Sequence, residues 1–388
     1  MVQTFRYLRL IPLCLLPALL NAQDPAPKFS FNGYASNMQS VMFSSVKGDF
    51  IADNLFHNRL NFAWHPNERF STVLQLRNRL MYGQSLQVYP GFAESVDNEP
   101  YFLDLSMNIL NEKSFLLNTT LDRAFLKYTA GKFVFTAGRQ RINWGQTFVW
   151  NPNDLFNVSN FFDFDYEEKP GSDALRIQYY PGYASTMEIA ARINADNEVT
   201  AAAYYRFNTW NYDFQVLGGI FEDKDLVAGM GWSGDIKGAG FRGEMSYFHP
   251  RHNPADTSGL FFMSVSVDYT FSNALYIQSE VLYNQFPKGF EVSDLISYFQ
   301  GPLTVKKLSF SEWNLFASAA YPFSPLTSGS FAVMLFPGLD GFYAGPSLQH
   351  SLKDNMDLSL VSQVFNGKFG DTTRSSLAFV FLRYRLAF

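Results

Sequence analysis

Two arginines one residue apart close the run Gly138-Arg139-Gln140-Arg141, and the chain then breaks into Ile142-Asn143-Trp144-Gly145. A guanidinium keeps its charge at every physiological pH and offers five donors, so a series of them suits weak, exchangeable contacts with anions or polar solutes. Further cations occur at Arg59, Arg77, Arg79, Arg123, Lys127, Arg176, Arg192 and Arg206, with Arg383 and Arg385 near the end. Carboxylates gather at Glu244, Asp268, Glu280 and Glu312, and in the run Asp163, Asp165, Glu167, Glu168. The alternating Asp163, Asp165 and Glu167 could present oxygens to calcium, but a solvated acidic loop, or pairing with the arginines, is the simpler use. His65, His249 and His252 flank prolines, which are poor places for a preorganised base. No nucleophile elbow, histidine-based zinc pattern or phosphate loop occurs, so no enzyme activity, cofactor or metal is expected.

What positions these charges is a period of two. Leu60, Phe62 and Trp64 alternate with Arg59, Asn61 and Ala63, and Leu74, Leu76 and Leu80 with Gln75, Arg77 and Arg79. Met263, Val265, Val267 and Tyr269 alternate in the same way with Ser264, Ser266, Asp268 and Thr270. These are β-strands with one apolar and one polar face. The pattern predicts strands near residues 29–43, 55–65, 70–82, 119–129, 132–141, 173–181, 184–193, 199–207, 211–222, 226–236, 239–249, 260–271, 274–286, 310–323, 329–337, 341–351, 356–366 and 375–388. Every other connection is five residues or fewer, and all the long ones (44–54, 83–118, 142–172, 250–259, 287–309, 367–374) fall in the alternate set. Short turns on one side and long loops on the other mark an outer-membrane barrel rather than a soluble sandwich. The expected fold is therefore all-β, a transmembrane antiparallel up-and-down barrel of about 18 strands, with 16 as the alternative. Keeping that parity assigns the strand-like stretch 101–110 to the second long loop.

The compartment agrees. Arg6 and Arg9 precede an apolar run from Leu10 to Leu20, and Ala22-Gln23 offers a cleavage point, so residues 1–22 read as a signal peptide too short to span a bilayer as a helix. Cys14, the one cysteine, lies inside that leader, which excludes a disulfide framework and a cysteine nucleophile from the mature chain. No later run of 18 apolar residues exists to make a helical membrane protein, and a net charge of −5 gives no reason to expect nucleic acid. Aromatic residues reach 18%, which suits the girdles of a membrane barrel.

With residues 23–388 as one barrel, the polar faces meet the lumen. The cations from Arg59 to Arg206, Arg139 and Arg141 included, together with Arg383 and Arg385, form one basic wall. Glu244, Asp268, Glu280 and Glu312 stand roughly opposite. Like charges side by side require water or partner carboxylates, so a hydrated lumen with a transverse field is expected. The segment 142–172 is too long for a hairpin. Gly145 permits a tight bend, Asn151-Pro152-Asn153-Asp154 signals a turn, and the segment's aromatic residues seek burial, so it is expected to fold inward as a constriction.

The run Gly138 to Gly145, followed by Asn151-Pro152-Asn153-Asp154-Leu155-Phe156-Asn157, resembles the signature of porin-like outer-membrane proteins of Gram-negative bacteria, akin to alginate-export-type porins. The last strand, ending on Phe388, is similar to the signal read by the barrel-assembly machinery, and the Asn21-Ala22-Gln23 junction is similar to those of Bacteroidetes. The resemblance implies an arginine-rich pore in outer-membrane lipid for small polar or anionic solutes, and passive diffusion past a ladder of charge is the expected mechanism. A silent barrel acting as receptor or scaffold for an envelope or surface partner is the alternative. On this reading, neutralising Arg139 and Arg141 should lower anion preference without unfolding the barrel.

Overall fold

A computed structural model describes residues 28–43, 50–252, 258–286, 304–309, 311–368 and 374–388; residues 1–22, expected to be a signal peptide and containing Cys14, lie outside them. Nineteen strands form one sheet: β1 (Phe29–Phe43), β2 (Phe50–Asn67), β3 (Phe70–Gly83), β4 (Ser106–Glu112), β5 (Phe115–Ala130), β6 (Phe133–Gln140), β7 (Ser172–Gly182), β8 (Ser185–Ile193), β9 (Val199–Thr209), β10 (Tyr212–Phe221), β11 (Asp225–Ile236), β12 (Ala239–Pro250), β13 (Leu260–Thr270), β14 (Tyr276–Asn284), β15 (Trp313–Ser324), β16 (Thr327–Phe336), β17 (Gly341–Lys353), β18 (Met356–Lys368) and β19 (Arg374–Ala387). Each barrel strand pairs antiparallel with its neighbour, β3 pairs directly with β5, and β19 returns to β1. Apart from β4, which pairs on one side only, every described strand has a partner on both sides, the condition for a sheet to cross a bilayer. The barrel is sealed at the carboxyl terminus, where Phe388 and Gly33 exchange two backbone hydrogen bonds of 2.9 Å.

The barrel proper has 18 strands, because β4 is a partial one. On its second edge, β5 pairs with β4 through residues 115–120 and with β6 through residues 124–130. The stretch 101–110, expected to be loop throughout, thus contains a strand from Ser106 that extends the wall where β6 has ended. Two short helices, α1 (Ser85–Val88) and α2 (Phe92–Asp97), precede it.

The outward register is apolar. Leu175, Ile189, Leu226, Phe331 and Leu360 are 67%, 61%, 51%, 49% and 48% exposed, a distribution tolerable only against lipid. Short turns occupy one end, the periplasmic one in barrels of this kind. Two of them use consecutive left-handed residues, Trp210-Asn211 and Lys237-Gly238, as a two-residue hairpin with the right twist requires.

Candidate functional site: the lumen and the loop inside it

Residues 141–171 leave β6 and run along the inner face before rejoining the wall at β7. Asn157 closes the neck, accepting the Ile142 N–H at 2.7 Å and donating to Ser172 Oγ at 3.0 Å. Beyond the neck the chain forms two lobes.

The first lobe lies against β8 to β15. Trp144 donates its indole N–H to Glu188 Oε1 at 2.7 Å and stacks on Tyr204. Two carboxylates then hold the backbone. Glu280 Oε2 accepts from the N–H groups of Phe148 (2.9 Å) and Val149 (3.0 Å), and Oε1 accepts from Trp150 N–H and Ser264 Oγ, both at 2.8 Å. Glu244 receives the Thr147 hydroxyl and the Asn153 N–H, and the Asn151 amide, turned to donate, reaches it at 3.1 Å. Converging N–H groups of this kind make a small anion nest, filled by the protein's own carboxylates. Both glutamates are buried. Their expected place opposite the basic wall is therefore corrected: they anchor the loop and face no cation across open water. Around them Trp150, Phe161 and Phe162 meet Phe316, Tyr343 and Phe365 edge to face, so the lumen at this level holds a packed apolar core as well as charge.

The second lobe brings the acidic run to the arginines. Asp165 meets His57 Nδ1 at 3.2 Å and Arg383 at 3.6 Å; Glu167 meets Arg383 at 3.2 Å and Arg385 at 3.0 Å. Glu168 lies 3.4 Å from Arg59, which is also bonded to Asp122. Arg123 donates to the carbonyls of Glu168 (3.0 Å) and Lys169 (2.6 Å), and Arg77 lies 4.0 Å over the Tyr166 ring. Burial pushes Asp163 up. Burial acts in the same direction on Asp165, but His57, Arg77 and Arg383 outweigh it and hold that carboxyl below its usual range. Asp154, buried in the first lobe with Arg141 as its main opposing charge, is pushed up to about 7. Calcium is not needed to explain Asp163 to Glu167, and among the described residues no group of three His, Cys, Asp or Glu is placed to hold a metal.

Three further positions differ from expectation. Arg139 shares its register with outward Phe133 and Phe135, pairing with Ala124 and Asp173, and is buried, bonded to Glu99 at 2.7 Å, Asp173 at 2.9 Å and Leu103 O at 2.5 Å. It fastens the strap 99–105 across the rim and does not line the lumen. Glu312 is exposed just ahead of β15 and lies off the inner wall. Gly145 has no left-handed φ; a Cβ there would lie 2.2 Å from the Asn151 side chain, so the site requires room, not backbone freedom.

On the inner face toward the short turns, Asp268 pairs with Arg242 at 3.2 Å and Arg176 with Glu188 at 2.7 Å. Lys127 and Arg206 are exposed and make no ion pair or hydrogen bond among the described residues. The Nε–H groups of Arg77, Arg79, Arg176, Arg192, Arg383 and Arg385 have no partner either.

A closed 18-strand barrel with an apolar exterior and a charged interior is an outer-membrane-type barrel, and solved structures of that type match it over nearly their full length. OccK11 (OpdR) of Pseudomonas aeruginosa superposes with a TM-score of 0.56 at 11% identity, covering 92% of this chain and 96% of that one. OccAB4 of Acinetobacter baumannii gives 0.57 at 11%, covering 93% and 99%. The outer membrane protein opdK of P. aeruginosa gives 0.55 at 9%, covering 92% and 99%. At these identities the likeness is one of fold. No family model and no curated protein matches the chain.

Proposed function

We propose that the protein is an outer-membrane channel through which small polar or anionic solutes diffuse passively, with residues 141–171 as its constriction. The observation that carries this reading is the pair of inner-face cations, Lys127 and Arg206, which are exposed and make no ion pair or hydrogen bond among the described residues. Exposed on the inner face, the two stay hydrated and within reach of a solute. A solute path gains a weak, multi-site ladder. The arginines already neutralised by Asp165, Glu167 and Glu168 hold the loop in place, which leaves selectivity to the remainder. The resemblance of residues 138–157 to alginate-export-type porins supports the same class of cargo, and the leader junction supports a Gram-negative, Bacteroidetes-type host. Phe388, seated on β1, is the residue on which recognition by the assembly machinery would depend.

Liposome swelling with a graded panel of neutral sugars and sugar acids tests this. Acids entering faster than neutral sugars of equal size is the expected result; equal rates would remove the anion preference, and no swelling with any solute would remove the channel. The second reading, a silent receptor or scaffold, is favoured by one observation, the aromatic core that packs the loop against β15 to β18, and would be the one left standing in that last case.

A further inference from the structure

The lipid-facing surface is not uniformly apolar. In the outward register of β1, β2, β3 and β5 stand Asn37, Gln39, Asn58, Asn78 and Thr119, with Asn54, itself buried, beneath Asn37. Asn37 is placed there by its partners Phe56 and Tyr384, and Asn58 by its partner Asn78, which in turn pairs with Thr119. They bond to one another across the strands: Asn37 Nδ2 donates to Asn54 Oδ1 at 3.1 Å, Asn78 Nδ2 to Asn58 Oδ1 at 3.3 Å, and Thr119 Oγ1 to Asn78 Oδ1 at 2.8 Å. The band lies in mid-membrane. Asn37 falls midway between outward Phe31 and Phe43 on β1, and Asn58 lies six residues from Trp64 on β2. Six residues rise about 20 Å along a strand, or about 15 Å along the axis of a tilted barrel whose apolar band is about 25 Å tall. On the far side, β13 and β14 present Met263, Val265, Val267 and Val281 in the outward register.

Each amide carries two donor hydrogens and two lone pairs, more than the internal bonds consume, and hydrocarbon can satisfy none of the remainder. We propose that this sector is an interface with a second copy of this chain within the membrane. The occupant follows from the chemistry. Amides and a hydroxyl are donors and acceptors at once, so the surface is complementary to itself, and the outward register of these four strands carries no charge that would call for an oppositely charged partner. Only a membrane-embedded protein can reach this depth.

The test is the mass of the detergent-solubilised full chain by native mass spectrometry, with barrel folding followed by heat-modifiable gel migration. Wild type should be a multiple of the chain mass, the double variant Asn58→Leu/Asn78→Leu a folded monomer, and Val265→Leu/Val267→Leu unchanged. Should the double variant fail to fold, oxidation of Asn37→Cys/Asn78→Cys in membranes should give a self-adduct that Val267→Cys does not give. A monomeric wild type, an oligomer that survives the double substitution, equal adducts from both cysteine variants, or an adduct with a different protein would each overturn the proposal.

Discussion

Replacing Glu280 with glutamine should loosen the inner loop by a definite step while leaving the barrel intact. The carboxylate serves three loop N–H groups, two converging on Oε2 and one on Oε1. Glutamine has one carbonyl oxygen, which is best placed where the two converge, so its NH2 group then faces the Trp150 N–H and leaves that donor unsatisfied. One orphaned N–H costs about 1–3 kcal/mol, and two bonds that lose their charge assistance add about 1 kcal/mol each. A total of about 3–5 kcal/mol, at about 1.4 kcal/mol per decade, raises the free-loop population more than about a hundredfold. Alanine, losing all three charge-assisted bonds, should exceed that. Tryptic cleavage after Arg141, together with amide exchange at residues 148–150, reads the change. Wild-type protection in the glutamine variant, or an alanine variant no looser than it, would refute the claim that Glu280 clasps the loop.

Other perturbations separate the remaining roles. Arg139→Gln strands Asp173 and Glu99 without their cation and should cost about 3–5 kcal/mol, read as a lower urea midpoint and new cleavage within 99–105, with ion selectivity unchanged. Burial raises Asp154 to about 7, so the docked loop holds that proton more tightly than the free one does. Its contribution to docking is complete below the free carboxyl's pKa and is lost as pH rises through about 7; protease protection should fall between about pH 4 and about pH 7, and Asp154→Asn should flatten that fall. Gly138 has φ of 114°, and a Cβ there would sit 2.2 Å from Ala124 O, so Gly138→Ala should sharply lower the yield of heat-modifiable barrel. Lys127→Gln/Arg206→Gln should move the reversal potential under a salt gradient toward cation preference, and an unmoved potential would remove both residues from the path.

The barrel was legible because lipid imposes one rule on every stave: side chains two apart share a solvent, so Leu60-Phe62-Trp64 and Val265-Val267-Tyr269 declare their face without reference to the rest of the fold. The same rule, applied strictly from Phe133 and Phe135, carries Arg139 outward. Reading it as a lumen residue gave the charge more weight than its register, on the assumption that a cation in a membrane barrel must face water, which the strap 99–105 makes unnecessary. β4 was hidden because its partner surface exists only where β6 has already left β5. The glutamate clasps were out of reach for a different reason. Glu244 and Glu280 sit on strands about a hundred residues from the N–H groups they receive, and nothing local distinguishes a carboxylate that faces water from one capped by a loop. The Asn ladder went unread because Asn58 and Asn78 interrupt apolar outward runs singly on each strand, and only the pairing brings them together.

Single-channel recording from the purified protein in planar bilayers tests the central claim most directly. Discrete, reproducible conductance steps with a reversal potential on the anion side are predicted. Bilayers that stay silent at protein concentrations where heat-modifiable barrel is demonstrably inserted would contradict it.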